Sequence, residues 1–368
     1  MLHLPYDTVI FDSDVILAEA PEVPGLPHYG VYPGVRELLE MLRRNGVFAA
    51  VIASMSQARA EHELKACGLY ACFDRILGET EETGKAALLH KAMPRPGCHA
   101  LAVGSRPLDI TAAKAAGIDA AGITSGSAEL EESGADALAE SPLALTELLL
   151  PGVPLPGGCF ISMEGPDGCG KTTQMKLLEE SLLRYGFRVH RTREPGGSPL
   201  AEKIRDLVLD PVNTEMTDLC EAMLYAAARA QHVREVIIPA VEAGELVLSD
   251  RFVDSSIAYQ GGGRGLGTAL VERINAPAVG DMLPFATVYL DIGAKDALKR
   301  RLAASEPDRL ENESTAFHER VTAAYHERIA AHPERFLVVN AAQPVEKVAA
   351  DVLRAVLARL LPLEPWLR

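Results

Sequence analysis

Short apolar runs alternate with amphipathic stretches along almost the whole chain. In the first part, "TVIFDSD", "FAAVIAS" and "ALAVGS" place apolar side chains at successive positions, which predicts strands of a parallel sheet buried on both faces. Between them, "GVRELLEMLRRNG" and "PLDITAAKAAGI" read as the helices that cover that sheet. The rhythm resumes later with "CFISMEG", "RVHRTRE", "ELVLSDR", "ATVYLDI" and "FLVVNA", each separated from the next by a helical stretch. One segment interrupts it. "LLLPGVPLPGG", residues 148–158, holds three prolines and three glycines, which can continue neither a helix nor a central strand. The pattern therefore predicts two doubly wound α/β domains, residues 1–147 and 158–368, joined by a Pro/Gly linker at 148–157. The halves share a class but no repeated sequence.

Composition supports this division. A chain of 368 residues, 48% of them apolar, is long enough for two cores. Its longest apolar runs are too short for a membrane span, and "MLHLPYDTVIFDSD" lacks the basic start of a secretory signal, so no membrane partner is expected. The six cysteines form no CxxC pair, which predicts reduced thiols in a cytoplasmic protein. The ten histidines form no HExxH or similar metal motif. A net charge of −15 argues against a nucleic-acid partner, and any phosphate must be held by local Lys and Arg.

Such a local site stands at "MEGPDGCGKTTQM", residues 163–175. Gly165, Gly170, Lys171 and Thr172 satisfy GxxxxGK[ST], with a predicted strand leading in and a helix leading out. Glycines here, Gly168 included, let backbone N–H groups turn toward phosphate oxygens at a helix N-terminus. Lys171 adds a point charge at the β- and γ-phosphates of ATP, Thr172 offers a hydroxyl to Mg²⁺, and Thr173 follows on the same turn. A P-loop specifies a nucleotide but not a reaction. Four further stretches narrow the reaction: "TREPGGSPLAEKIRDLVL", "EAMLYAAARAQHV", "LSDRFVDSSIAYQGGGRG" and "LKRRLAASEPDRLE". In the second, Tyr225 and Arg229 are four apart and share a helix face.

With these motifs in this order, residues 158 to about 362 resemble a bacterial thymidylate kinase, which transfers the γ-phosphoryl of ATP to dTMP. The resemblance implies a P-loop kinase domain with a parallel sheet and a lid, and a homodimer formed through this half. It implies that Tyr225 stacks on the base, that Arg229, Ser256 and Gln260 read its edges, and that Asp167 accepts from the sugar 3′-hydroxyl. Glu194, Arg205 and Arg251 would position the acceptor phosphate, Tyr259 would crowd a 2′-hydroxyl, and Asp250 would help Thr172 hold Mg²⁺. One departure concerns the lid. The P-loop lacks an arginine, and several lid positions that carry arginine in the family are apolar here (Leu302, Ala303, Ala304), leaving Arg301 or Arg309 as the expected lid cations.

The first half carries a second set of phosphate-handling residues. "VIFDSDVIL" puts Asp12 and Asp14 two apart at a strand end, followed by Ser54, by Lys85 in "ETGKAALL", and by "VGSRPLD" at 103–109. This order resembles the haloacid dehalogenase-like phosphatases over residues 5–125, a Rossmann-like fold with, in this chain, room for only a minimal cap. The resemblance implies Asp12 as nucleophile, Asp14 as general acid and base, Ser54 and Lys85 as phosphate ligands, and Asp12, Asp14 and Asp109 around Mg²⁺. Ser105 stands where the family has another metal-binding carboxylate, which weakens the expected metal site. Two readings stay open at this point: a phosphatase beside the kinase, or a non-catalytic regulatory or interaction module. A third makes the whole chain a nucleotide-binding protein without transfer.

Overall fold

The computed structural model describes residues 6–79, 84–124, 130, 132–153, 157–293, 296–297, 299–300, 309–310 and 312–361. The chain divides into two compact units, one built chiefly from residues before 157 and the other chiefly from those after it.

In the first unit the strands are β1 (Thr8–Asp12), β2 (Leu17–Glu19), β3 (Tyr29–Val31), β4 (Phe48–Ala53), β5 (Arg75–Gly78), β6 (Ala100–Gly104), β7 (Asp119–Ile123) and β8 (Ala137–Ala139). Six of them form one sheet in the order β5-β4-β1-β6-β7-β8, with every neighbouring pair parallel. β2 and β3 pair antiparallel in a separate hairpin. The helices are α1 (Val35–Arg44), α2 (Gln57–Ala66), α3 (Lys85–Ala92), α4 (Pro107–Ala115) and α5 (Pro142–Leu149). Alternation along β1 shows why its middle, Val9 to Phe11, is apolar at every position. Val9 and Phe11 pack into one core with Leu38 and Leu42 of α1, while Ile10 enters a second core with Leu88 and Leu89 of α3 and Ile110 of α4. Helices therefore cover both faces, and the carboxyl end of β1 delivers Asp12 to the sheet edge. α5 is capped by Ser141, whose hydroxyl accepts from the Ala144 N–H at 3.1 Å. It runs to Leu149, two residues into the stretch expected to be linker, before Pro151 and Gly152 end it.

The second unit holds β9 (Cys159–Glu164), β10 (Val189–Arg193), β11 (Leu246–Asp250), β12 (Ala286–Asp291) and β13 (Phe336–Asn340). Their order is β10-β11-β9-β12-β13, again wholly parallel. Its helices are α6 (Lys171–Arg184), α7 (Pro199–Leu209), α8 (Asp218–His232), α9 (Ile238–Glu242), α10 (Val253–Ser256), α11 (Thr268–Val279), α12 (Thr315–Ala331) and α13 (Val345–Leu360). α10 runs on into a wider π turn, Ile257–Gly263, which carries Tyr259 and Gln260. Strand order reverses at β9, the switch point where open α/β sheets bind ligands. No described helix is long and apolar enough to cross a membrane.

Candidate functional site

Between the end of β9 and the start of α6, the chain turns through Gly165, Gly168 and Gly170 at φ of 144°, 85° and 99°. A side chain at Gly165 would meet the Cys169 sulfur at 2.8 Å and the Leu290 carbonyl at 2.9 Å, so the loop's path requires glycine there. Lys171 folds back on this loop, its Nζ donating to the carbonyls of Gly165 and Pro166 at 3.0 Å each. Thr172 and Thr173 follow, exposed, on the first turn of α6.

Beside the loop opens a cleft of about 490 Å³, and most of the expected nucleotide-binding residues line it. Asp167 accepts a 2.6 Å hydrogen bond from the Tyr259 hydroxyl and a further one from the Arg251 guanidinium, and Lys171 Nζ lies 3.9 Å away. Burial would raise the pKa of Asp167, but the charges of Arg251 and Lys171 and the Tyr259 hydroxyl outweigh it and hold the carboxyl at about 2. Arg251 also donates to the Gly165 carbonyl at 3.2 Å and to Ser255 Oγ at 3.0 Å. Its backbone lies in the left-handed region, φ 72°, costly for a long side chain, and is tied by its N–H to the Met163 carbonyl at 3.0 Å.

A second network lies deeper. Arg229, 2% exposed, donates through Nε to Glu194 at 2.7 Å, through Nη1 to Ser256 Oγ at 3.1 Å and to Asn275, and through Nη2 to the Phe252 carbonyl at 3.2 Å. The other oxygen of Glu194 lies 3.0 Å from His232 Nδ1, and His232 Nε2 is 2.7 Å from Thr192 Oγ1. The Glu194–Pro195 bond is cis. Arg205 donates to the Pro195 carbonyl at 2.8 Å, and burial together with neighbouring Arg193 lowers its pKa. Gln260 donates to the buried carboxylate of Glu221 at 2.8 Å, and Tyr225, itself buried, lines the cleft.

The structure does not bring Arg309 to the cleft. Its guanidinium is taken up by Glu221 at 2.6 Å and the Val208 carbonyl at 2.9 Å. Arg301 lies outside the described residues; the cation of that stretch that does line the cleft is Arg300, which donates to the Ala341 carbonyl at 2.9 Å. Asp250 and Thr172 line the cleft too. No trio of His, Cys, Asp or Glu suited to a metal occurs among the described residues. One carboxylate and one hydroxyl are nonetheless a fitting donor set for Mg²⁺, which keeps its waters and binds largely through nucleotide phosphates.

Sequence reasoning missed Glu164. It is fully buried, accepts from the Phe252 N–H at 2.7 Å, Ser255 Oγ at 2.6 Å and the Tyr325 hydroxyl at 2.7 Å, and its pKa is raised to about 7 by burial and then by Asp254. The available signal was a carboxylate closing an apolar strand directly before the first loop glycine.

In the first unit the expected carboxylates also meet. Lys85 Nζ is paired with both Asp12 and Asp109, and Asp12 in turn accepts from the Asp14 N–H at 3.0 Å. Burial raises the pKa of Asp12 although Lys85 opposes it; for Lys85 the two carboxylates outweigh burial and raise it. Ser54 lies exposed just beyond β4. Arg106, which the sequence reading did not single out, reaches over the group. Its Nη2 lies 3.1 Å from Asp14, 3.5 Å from Asp109 and 3.9 Å from Asp12. The donors expected around a cation thus face fixed cations of the protein.

A glycine-rich loop at the switch point of a parallel sheet, opening on a cleft lined by Arg, Tyr and carboxylate side chains, defines a P-loop nucleotide phosphotransferase. Comparison with known proteins agrees. Residues 163–352 match the family model for thymidylate kinase, and residues 9–123 match that for haloacid dehalogenase-like hydrolases. The thymidylate kinase of Lactobacillus acidophilus is 48% identical over 206 residues, 55% of this chain and 95% of that protein. That of Lactobacillus delbrueckii subsp. bulgaricus is 50% identical over 202 residues, 54% of this chain and 95% of that protein. That of Deinococcus radiodurans is 47% identical over 202 residues, 55% of this chain and 98% of that protein. The chain belongs to the thymidylate kinase family: its C-terminal half is a dTMP kinase that uses ATP, preceded by a haloacid dehalogenase-like domain.

Proposed function

We propose that the cleft holds the two substrates end to end, with Lys171 and the P-loop N–H groups on the ATP phosphates and Tyr225, Ser256 and Gln260 around the thymine of dTMP. The observation that carries this reading is the Asp167–Arg251–Tyr259 group, which shares one cleft with Lys171 and with the Arg229–Glu194 pair. Lys171 donates to two backbone carbonyls and lies 3.9 Å from Asp167, which Arg251 already holds, so its charge can turn to phosphate oxygens. Arg251 and Arg205 then position the dTMP phosphate, and one of its oxygens attacks the γ-phosphorus in line. The acceptor is already an anion, so no side chain has to remove a proton. Mg²⁺, held through Thr172 and Asp250, supplies charge stabilisation at the phosphates when bound. Arg300 is the described lid-side cation, a role the sequence reading gave to Arg301 or Arg309.

Tyr259 is pinned by Asp167 where a ribose 2′-hydroxyl would intrude, which favours deoxynucleotides. Arg229 is committed to four protein partners, so it acts as much by holding Glu194 and Ser256 in place as by touching the base. Leu200 and Leu207 on α7 and Leu219 and Met223 on α8 are exposed, which supports a homodimer packed through these helices. Six free cysteines are consistent with the cytoplasm. The test is ADP release in a coupled assay with dTMP, dUMP, dCMP and AMP as acceptors. dTMP should exceed the others in kcat/KM by about 10-fold or more, since even one methyl-sized difference in a pocket is worth about 1–3 kcal/mol. Equal rates would overturn the assignment of roles in the cleft.

A further inference from the structure

We infer that Arg106 has taken the place of the divalent cation in the N-terminal domain, leaving a metal-free, self-neutralised carboxylate site. Asp12, Asp14 and Asp109 face two fixed positive charges, Lys85 on Asp12 and Asp109, and Arg106 with its closest approach, 3.1 Å, to Asp14. Three carboxylates against two cations leave a single negative charge, so little electrostatic demand for a further ion remains.

The individual oxygens support the same reading. Asp109 Oδ1 is taken by Lys85, while Oδ2 accepts from the backbone N–H groups of Ser105 at 3.1 Å and Arg106 at 3.0 Å. Asp12 Oδ1 already accepts from the Asp14 N–H, and Oδ2 is paired with Lys85. Asp109 cannot back away to make room, because it packs against bare backbone. A Cβ on Gly104 would lie 2.3 Å from the Cβ of Asp109. Mg²⁺ requires near-octahedral oxygens at about 2.0–2.1 Å. To enter, it would have to displace the guanidinium and strip two carboxylates of their present donors.

Sequence and structure meet at one dipeptide. In "GSRPLD", Ser105 removes a negative charge and Arg106 adds a positive one, so together they shift the site by two positive charges, what a divalent cation would bring. Restoring a carboxylate at 105 alone would therefore leave the guanidinium in the way. On this reading the first domain performs no cation-dependent phosphoryl chemistry, and phosphoryl transfer belongs to the P-loop half alone.

The test uses the full chain without nucleotide and Mn²⁺ as the probe. Crystals of the wild-type protein soaked in MnCl₂ should show no anomalous peak within coordinating distance of Asp12; a peak there would overturn the inference. In solution, Mn²⁺ counted by electron paramagnetic resonance should be the same for wild type and Asp12→Asn. The double variant Ser105→Asp/Arg106→Ser, once its melting curve shows it folded, should bind about one more Mn²⁺ per chain than wild type, and Ser105→Asp alone should not. A double variant that gains no ion would show that Arg106 is not what keeps the cation out. So would a Ser105→Asp variant that gains one by itself.

Discussion

The P-loop cleft and the N-terminal carboxylate pocket are built from similar parts. Each lies at the carboxyl end of a central parallel strand, and each combines a lysine, an arginine and carboxylates. They differ in what the lysine rests on. Lys171 donates to two backbone carbonyls, while Lys85 is paired with two carboxylates. Drawing Lys85 onto a phosphate would strip two buried carboxylates of a counter-ion, whereas Lys171 leaves only carbonyls and an Asp167 that Arg251 still holds, so phosphate competes better for Lys171. On the proposed reading, the same residue type is a ligand-binding group in one half and an internal counter-ion in the other.

Breaking the two lysines separately is the most severe test of this contrast. Lys171→Ala should lower kcat for dTMP phosphorylation by about 10³-fold or more, some 4 kcal/mol, with little change in the melting curve. A retained rate in the coupled assay would remove the basis of the comparison. Lys85→Ala should act in the opposite way, destabilising the N-terminal domain by about 3–5 kcal/mol because two buried carboxylates lose their cation. Denaturant unfolding followed by a probe in that domain would show it, with the KM for dTMP unchanged.

The next effect concerns a buried carboxylate for which burial and Asp254 outweigh the nearby charge of Arg251. The carboxyl of Glu164 is raised from 4.5 to about 7, so the folded state keeps its proton where the unfolded chain has lost it. Its contribution is fully present below pH 4.5 and is lost as pH rises through about 7, a fall on the order of 3 kcal/mol. Melting curves across that window should flatten in Glu164→Gln relative to wild type. Asp167, held at about 2 by Arg251 and Lys171 against burial, behaves in reverse, its contribution being lost only as pH falls from about 4 toward 2. The smallest effect belongs to the base contact: Tyr225→Ala should raise the KM for dTMP about 10-fold, near 1.4 kcal/mol, and leave the KM for ATP within about twofold. Equal changes in both would mean that Tyr225 supports the cleft as a whole.

The eight strand segments read from sequence are all strands here: the central ones are legible because a parallel strand buried on both faces is apolar along its middle, while the polar, half-exposed edge strand β10 follows only from its place in the alternation. The segments that escaped were short or mixed in character: the β2–β3 hairpin, "RILG" of β5, "DAAGI" of β7 and the three-residue β8. Site residues divide in the same way. Gly165, Lys171 and Thr172 are legible because their chemistry depends on fixed spacing within one loop. The roles of Glu164, Tyr325 and Arg106 are not, since each depends on a neighbour from a distant part of the chain.

The amino-acid order alone therefore determined two doubly wound units, the interrupting Pro/Gly segment, the phosphate loop and the identity of the acidic and basic groups near each sheet edge. Tertiary structure decided how those charges are used. It folded Lys171 onto neutral carbonyls, buried Arg229 among four acceptors, drew Arg309 onto Glu221 and laid Arg106 over three carboxylates. Periodicity and loop motifs are properties of neighbouring residues and can be read locally. The partner of a charge is whatever the folded chain brings within a few ångströms, and in the low-dielectric interior that partner decides whether the charge remains available to a ligand.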